Sequence, residues 1–180
     1  MRALGPGSVS SFLKIILDVA YFITIAILGG GAFLAVIALL AYGFVPEAFQ
    51  QAATKLRMEG DVTFGQLAVL AAILCGYGIF YLGSLLAILS RLRMVFATLT
   101  AGDPFHPENI RRLRLIGFVL AAMELGRYLF NTLLLAVAPD LSWNLDGFNI
   151  TAWFSVLVVL VLAEVFREGA RLRNEAELTI

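Results

Sequence analysis

The sequence predicts an all-α, polytopic membrane protein: four transmembrane helices, a cytoplasmic turn between the second and third, and a cytoplasmic helical tail. Three observations carry that prediction. Of the 180 residues, 61% are hydrophobic and 14% are charged, whereas a soluble domain has about 45–50% apolar and about 25% charged residues. The apolar residues gather into four runs near the ~20 residues that a helix needs to cross a bilayer core. The Lys and Arg residues fall almost entirely on one side of those runs.

The same composition excludes several classes. The formal net charge is zero, so bulk charge gives no case for direct nucleic-acid binding. The single cysteine, Cys75, rules out an intramolecular disulfide and a cysteine-based metal cluster, and it reads as a small packing residue. No nucleotide-binding glycine loop, Ser/His/Asp set or zinc spacing is present. Neither are paired catalytic groups at one depth. The expectation is therefore a non-enzymatic protein without cofactor or metal.

The first span covers 15–42. A signal-peptide core runs about 7–15 residues, but here the apolar run goes from Ile15 to Phe44, broken only by Asp18. It reads as a retained transmembrane helix. Gly29-Gly30-Gly31 reads as a close helix crossing, with a local kink as the alternative. Gly31/Ala35 here, and Ala72/Gly76 and Gly83/Ala87 in the second span, have the small-xxx-small spacing that lets helices approach. Asp18, four residues after Lys14, reads as an interfacial charge that pairs or snorkels, with a lock onto Arg91, Arg93 or Arg114 as the alternative.

Between the first two spans, 46–58 reads as an amphipathic helix on the outer membrane surface. Phe49, Ala52, Ala53 and Leu56 recur at helical spacing, with Pro46 at the start and Gly60 at the stop. A ligand-binding lid is the alternative. The second span, 66–90, leads into a loop over 91–114 that carries five of the chain's thirteen Lys and Arg residues. Pro107 suits a first helical position. That puts His106 at the N-cap and Glu108 in the first turn, facing the positive end of the helix dipole.

The third span, 115–137, contains Glu124 and Arg127, three residues apart on one face, followed by Tyr128 and Asn131. Ionisable groups at membrane depth are candidate functional residues. A self-neutralised pair that pins the helices is the competing reading, and a solute or proton site the other. The connection 138–149 has no Lys or Arg and one aromatic anchor, Trp143. The fourth span, 150–166, starts near Asn149, with Trp153 at interface depth. Glu164 reads like Asp18: interfacial pairing, or a lock onto Arg91, Arg93 or Arg114. The tail, 167–180, carries Gly169 and Leu172 for close contact. Its Glu175 and Glu177 could meet Arg111, Arg112 or Arg114, and Leu178-Thr179-Ile180 is an apolar end that would dock.

Charge sets the orientation. Arg2, Lys14, Arg91, Arg93, Arg111, Arg112, Arg114, Arg167, Arg171 and Arg173 share one side, against Lys55 and Arg57 on the other. The termini and the central loop are expected in the cytoplasm, in a multi-pass protein of the cell membrane.

Two stretches carry a resemblance. One is Ala101-Gly102-Asp103-Pro104-Phe105 followed by Asn109, Arg112, Leu113 and Arg114. The other is the tail from Leu162 to Ile180, with Gly169, Glu175 and Thr179 in place. Together they resemble the DUF2975 family of small four-helix prokaryotic membrane proteins. That resemblance implies no activity. It implies that members often accompany a small Cro/CI-type helix-turn-helix regulator. Asp103, Pro104, Phe105, Asn109, Arg112, Arg114, Gly169, Glu175, Glu177 and Thr179 are thus expected to form a cytoplasmic partner surface, with Phe105 inserted at the inner mouth of the bundle. The functional expectation is a membrane sensor or anchor acting with that regulator. The alternative is a small-solute or ion transport component using Glu124 and Arg127. Beyond the lipid bilayer, a homo-oligomer is an open expectation.

Overall fold

No proline or glycine interrupts the chain between Gly83 and Gly102, and the second helix uses that whole run. A computed structural model describes residues 9–44, 64–137 and 147–178. They form four helices: α1 (Val9–Phe44), α2 (Phe64–Thr100), α3 (Pro107–Val137) and α4 (Ile150–Glu177). Each extends past the span expected from hydropathy. The 91–114 stretch is accordingly not a long loop. Arg91 and Arg93 lie on the last turns of α2, Arg111, Arg112 and Arg114 lie on the first turns of α3, and the connection shrinks to residues 101–106. Polarity marks where apolar surroundings would end. A helix ends only where its backbone hydrogen bonds find another partner. The surface helix expected over 46–58 and most of the 138–149 connection lie outside the described residues.

Three described segments are long and apolar enough to cross a membrane: Phe12–Ile37, Val69–Thr100 and Ile150–Ala176, with mean hydropathies of 2.2, 2.0 and 2.0. α3 has the length, 31 residues, but Glu124 and Arg127 interrupt its apolar run. Large apolar side chains cover the outside of the helices, among them Phe22, Phe118, Leu129 and Phe154, each more than 60% exposed. Contiguous exposure on this scale marks a surface meant for membrane or protein contact.

Among the described residues, close helix approaches join α1 to α2, α2 to α3, and α3 to α4. α3 is thus the middle of the α2–α3–α4 unit. At the turn end, Ile88, Leu113, Ile116 and Ala163 form one buried cluster, joined by Leu92, Met123, Val159 and Phe166. At the other end, Leu70, Phe130 and Leu134 form a second, with the Tyr77 and Phe130 rings stacked 4.1 Å apart. In lipid these clusters hold by dispersion and shape, since the tails outside are as apolar as leucine.

The glycines do not act as the spacing suggested. A Cβ added at Gly29, Gly30, Gly31, Gly76 or Gly83 would meet nothing within 4 Å. These small-residue faces therefore make no close crossing among the described residues. The tight approaches occur at Gly117, where a Cβ would come 2.7 Å from Leu160, at Gly126 beneath Phe80, and at Gly169 beneath Phe105. Single glycines opposite one large side chain, rather than paired small residues, set these contacts.

α1 is fastened to α2 at one level. Arg93 Nε donates to Asp18 Oδ1 at 2.5 Å, and its guanidinium lies over the Tyr21 ring at 4.5 Å. Asp18 thus pairs across helices, not along its own helix with Lys14.

Candidate functional site

The six-residue connection between α2 and α3 is a built structure. α2 ends in a Schellman motif: Asp103 N–H donates to Thr98 O at 3.0 Å, and Gly102 N–H to Leu99 O at 3.1 Å. Gly102 takes the left-handed conformation this needs, with φ +87°. At the start of α3, His106 Nδ1 accepts from Glu108 N–H at 3.2 Å, so the imidazole caps the helix. Asn109 then ties the two helices together and is fully buried. Its Nδ2 donates to Thr98 Oγ1 at 2.7 Å and to Pro104 O at 3.1 Å. Its Oδ1 accepts from Arg112 at 3.0 Å, and the same guanidinium nitrogen reaches Met94 O at 3.3 Å. A buried amide this well matched fixes one geometry, because leaving any of its groups unpaired is costly.

The turn also grips α4. Arg173 donates to Asp103 at 2.6 Å. Phe105 packs against Phe166, with ring centroids 5.7 Å apart, and occupies the space that Gly169 leaves by having no side chain. Phe105 therefore lies along α4, partly exposed, and does not plug the end of the bundle. Further along, Arg114 reaches Glu164 at 3.6 Å, and Glu164 also pairs with Arg167. Of the expected residues, Asp103, Pro104, Phe105, Asn109, Arg112 and Gly169 meet in this junction, with Arg114 beside it.

Glu175 does not reach Arg111, Arg112 or Arg114. It pairs with Arg171 on its own helix at 3.5 Å. The expectations for the Glu177 side chain and for Thr179 fall outside the described residues. Thr98 and Met94 were not singled out from the sequence; Phe166 lay within the tail stretch and Arg173 within the charge count, neither assigned to this junction. Thr98 had the best local signal, a hydroxyl residue four before a Gly-Asp-Pro turn.

The second polar site joins α3 to α4 at the opposite end. Arg127 donates to both oxygens of Glu124, Nε at 3.1 Å and Nη2 at 2.6 Å, and to Gly147 O at 3.0 Å. The Glu124 side chain is 7% exposed and that of Arg127 17%. The Arg127 guanidinium also lies 4.8 Å from the Tyr128 ring centre, and the Tyr128 hydroxyl accepts from Trp153 Nε1 at 3.2 Å. Asn149 caps α4 by accepting from Ala152 N–H at 3.2 Å. The pair sits midway along α3 yet level with the start of α4. Asn131, one turn on, is half-buried and joins no hydrogen bond among the described residues. Among the described residues no group of three or more His, Cys, Asp or Glu side chains could hold a metal ion.

A family model described as a protein of unknown function, DUF2975, matches residues 61–180, which take in α2, α3, α4 and both of these sites. No curated protein matches the chain, and no solved structure does.

Proposed function

The chain belongs to the DUF2975 family, and on that premise we propose that it is a non-enzymatic, four-span protein of the cell membrane that presents a cytoplasmic platform to a soluble regulator. The observation that carries this reading is the junction of turn and α4. Asp103 and Phe105 fasten the connection to α4, from a turn shaped by Gly102 and Asn109. Beyond the junction α4 continues as an exposed helix bearing Glu168, Arg171, Leu172 and Glu175. Charged side chains around an exposed leucine suit recognition by a folded protein, with charge setting register and the apolar group supplying the anchor. The Lys and Arg asymmetry supports a cytoplasmic position for this end. In this reading α3 is the fourth span, its charges neutralised by the Glu124–Arg127 clamp. That clamp already occupies both carboxylate oxygens, which supports a structural role over solute handling.

The partner class follows from the family resemblance: a small Cro/CI-type helix-turn-helix protein. The test is co-purification of such a protein, encoded beside this one, with the full chain in mild detergent. Capture by the full chain, and loss of capture when Glu175–Ile180 are deleted from a chain that still melts cooperatively, is the expected result. Equal capture by both chains, or by neither, would overturn the platform. Cysteines placed at 55 and 111 should label from opposite sides of the membrane, and labelling from the same side would sink the orientation.

A further inference from the structure

We propose that the outward face of α3 binds one anionic phospholipid, with the headgroup at Arg111, Arg114 and Arg167. These three arginines line an open groove of about 480 Å³ between α3 and α4, floored by apolar side chains that include Leu115 and Phe118. The groove carries surplus positive charge. Glu164 is the one carboxylate bound there, shared by Arg114 and Arg167, and Arg111 has no ion-pair partner among the described residues. Three guanidinium groups against one carboxylate leave a site that favours a phosphodiester and disfavours the quaternary ammonium of a zwitterionic lipid. Guanidinium also matches phosphate geometrically, offering paired donors to two oxygens.

The apolar continuation makes the ligand a lipid. Arg111, Arg114, Leu115, Phe118, Leu125 and Leu129 are all exposed and recur at helical spacing along one side of α3. The stripe is cationic at the turn end and wholly apolar beyond it. From Phe118 to Leu129 it rises about 16 Å at 1.5 Å per residue, close to half of the ~30 Å bilayer core. One leaflet's acyl chain therefore fits along it while the headgroup rests among the arginines. Basic pockets between helices at the cytoplasmic interface are suited to such headgroups.

This inference rests on α3 lying in the bilayer with its turn end at the cytoplasmic surface, and not on the regulator platform. The experiment is native mass spectrometry of the full chain, released from detergent containing equal phosphatidylglycerol and phosphatidylcholine. One phosphatidylglycerol should be retained in preference to phosphatidylcholine. Arg111→Gln, at an exposed side chain without an ion-pair partner among the described residues, should lower that preference roughly fivefold, and Phe118→Ser should shorten retention while the protein stays folded. Added inorganic phosphate should leave retention unchanged. Equal retention of the two lipids, an unaltered preference in Arg111→Gln, or displacement by phosphate would each overturn the proposal. The paired labelling at 55 and 111 tests the membrane orientation separately, so a failed orientation is distinguishable from a failed lipid site.

Discussion

Replacing Asn109 by alanine should unfasten the turn end of the α2–α3 pair. The substitution removes three hydrogen bonds: to Thr98 Oγ1, to Pro104 O and from Arg112. Two involve neutral partners and one a charged donor. Net contributions are about 1 kcal/mol for a neutral bond and about 1.5–3 kcal/mol for a charged one. The loss is moderated, because Arg112 keeps Met94 O and Thr98 keeps Val95 O at 2.8 Å. The group left without its side-chain partner is the Pro104 carbonyl. The cost is therefore about 2–4 kcal/mol, or a fall in melting temperature of about 5–15 °C for a chain of this length. Thermal unfolding in mild detergent, followed by intrinsic fluorescence, measures it. Thr98→Val alone should cost about 1 kcal/mol, and little more once Asn109 is already alanine, since the two residues share one bond. A melting temperature shifted no more by Asn109→Ala than by an exposed substitution, or full additivity with Thr98→Val, would refute the hub.

Three further outcomes follow from the packing. Gly169→Leu must displace Phe105 from α4 and should lower the melting temperature well beyond Gly76→Leu, where added atoms meet open space; equal effects on the two melts would remove Gly169 from the junction. Arg127→Leu strands the buried Glu124 carboxylate and should cost about 3–5 kcal/mol, more than changing both residues to glutamine, as read from paired detergent melts. Asp103→Lys and Arg173→Glu should each speed amide exchange over 101–106, and the double reversal should restore protection. Stability should move by only about 0–1 kcal/mol, because both side chains are substantially exposed.

Helix number and type were legible in the sequence because long apolar runs have no other way to satisfy their backbones. Helix ends were less legible. The arginines at 91, 93, 111 and 114 signal a change of surroundings, which an α-helix can cross without a break. Only Gly102 and Pro107 changed the backbone, and they bound the actual turn. The Glu124–Arg127 pairing was readable from three-residue spacing. Its link to Gly147 and Trp153 was not, because it depends on how α4 slides along α3. Asn109 could be named from the motif, but not its burial, since its partner Thr98 lies on the far side of the turn. The glycines misled most: spacing reports which residues share a face, and cannot report whether another helix covers that face.

Packing only between neighbours in the chain has a consequence for how the protein is made. Each described pair of packed helices joins one helix to the next described one in the sequence. Contacts of short sequence separation form quickly, because little loop entropy must be lost before they close. The molecule can therefore assemble in the order of synthesis, each helix docking on the one before it. Of the described helices α4 is made after the other three, and it completes the junction that Asp103 and Phe105 hold ready. Until α4 is made, those two side chains lack Arg173, Phe166 and Gly169.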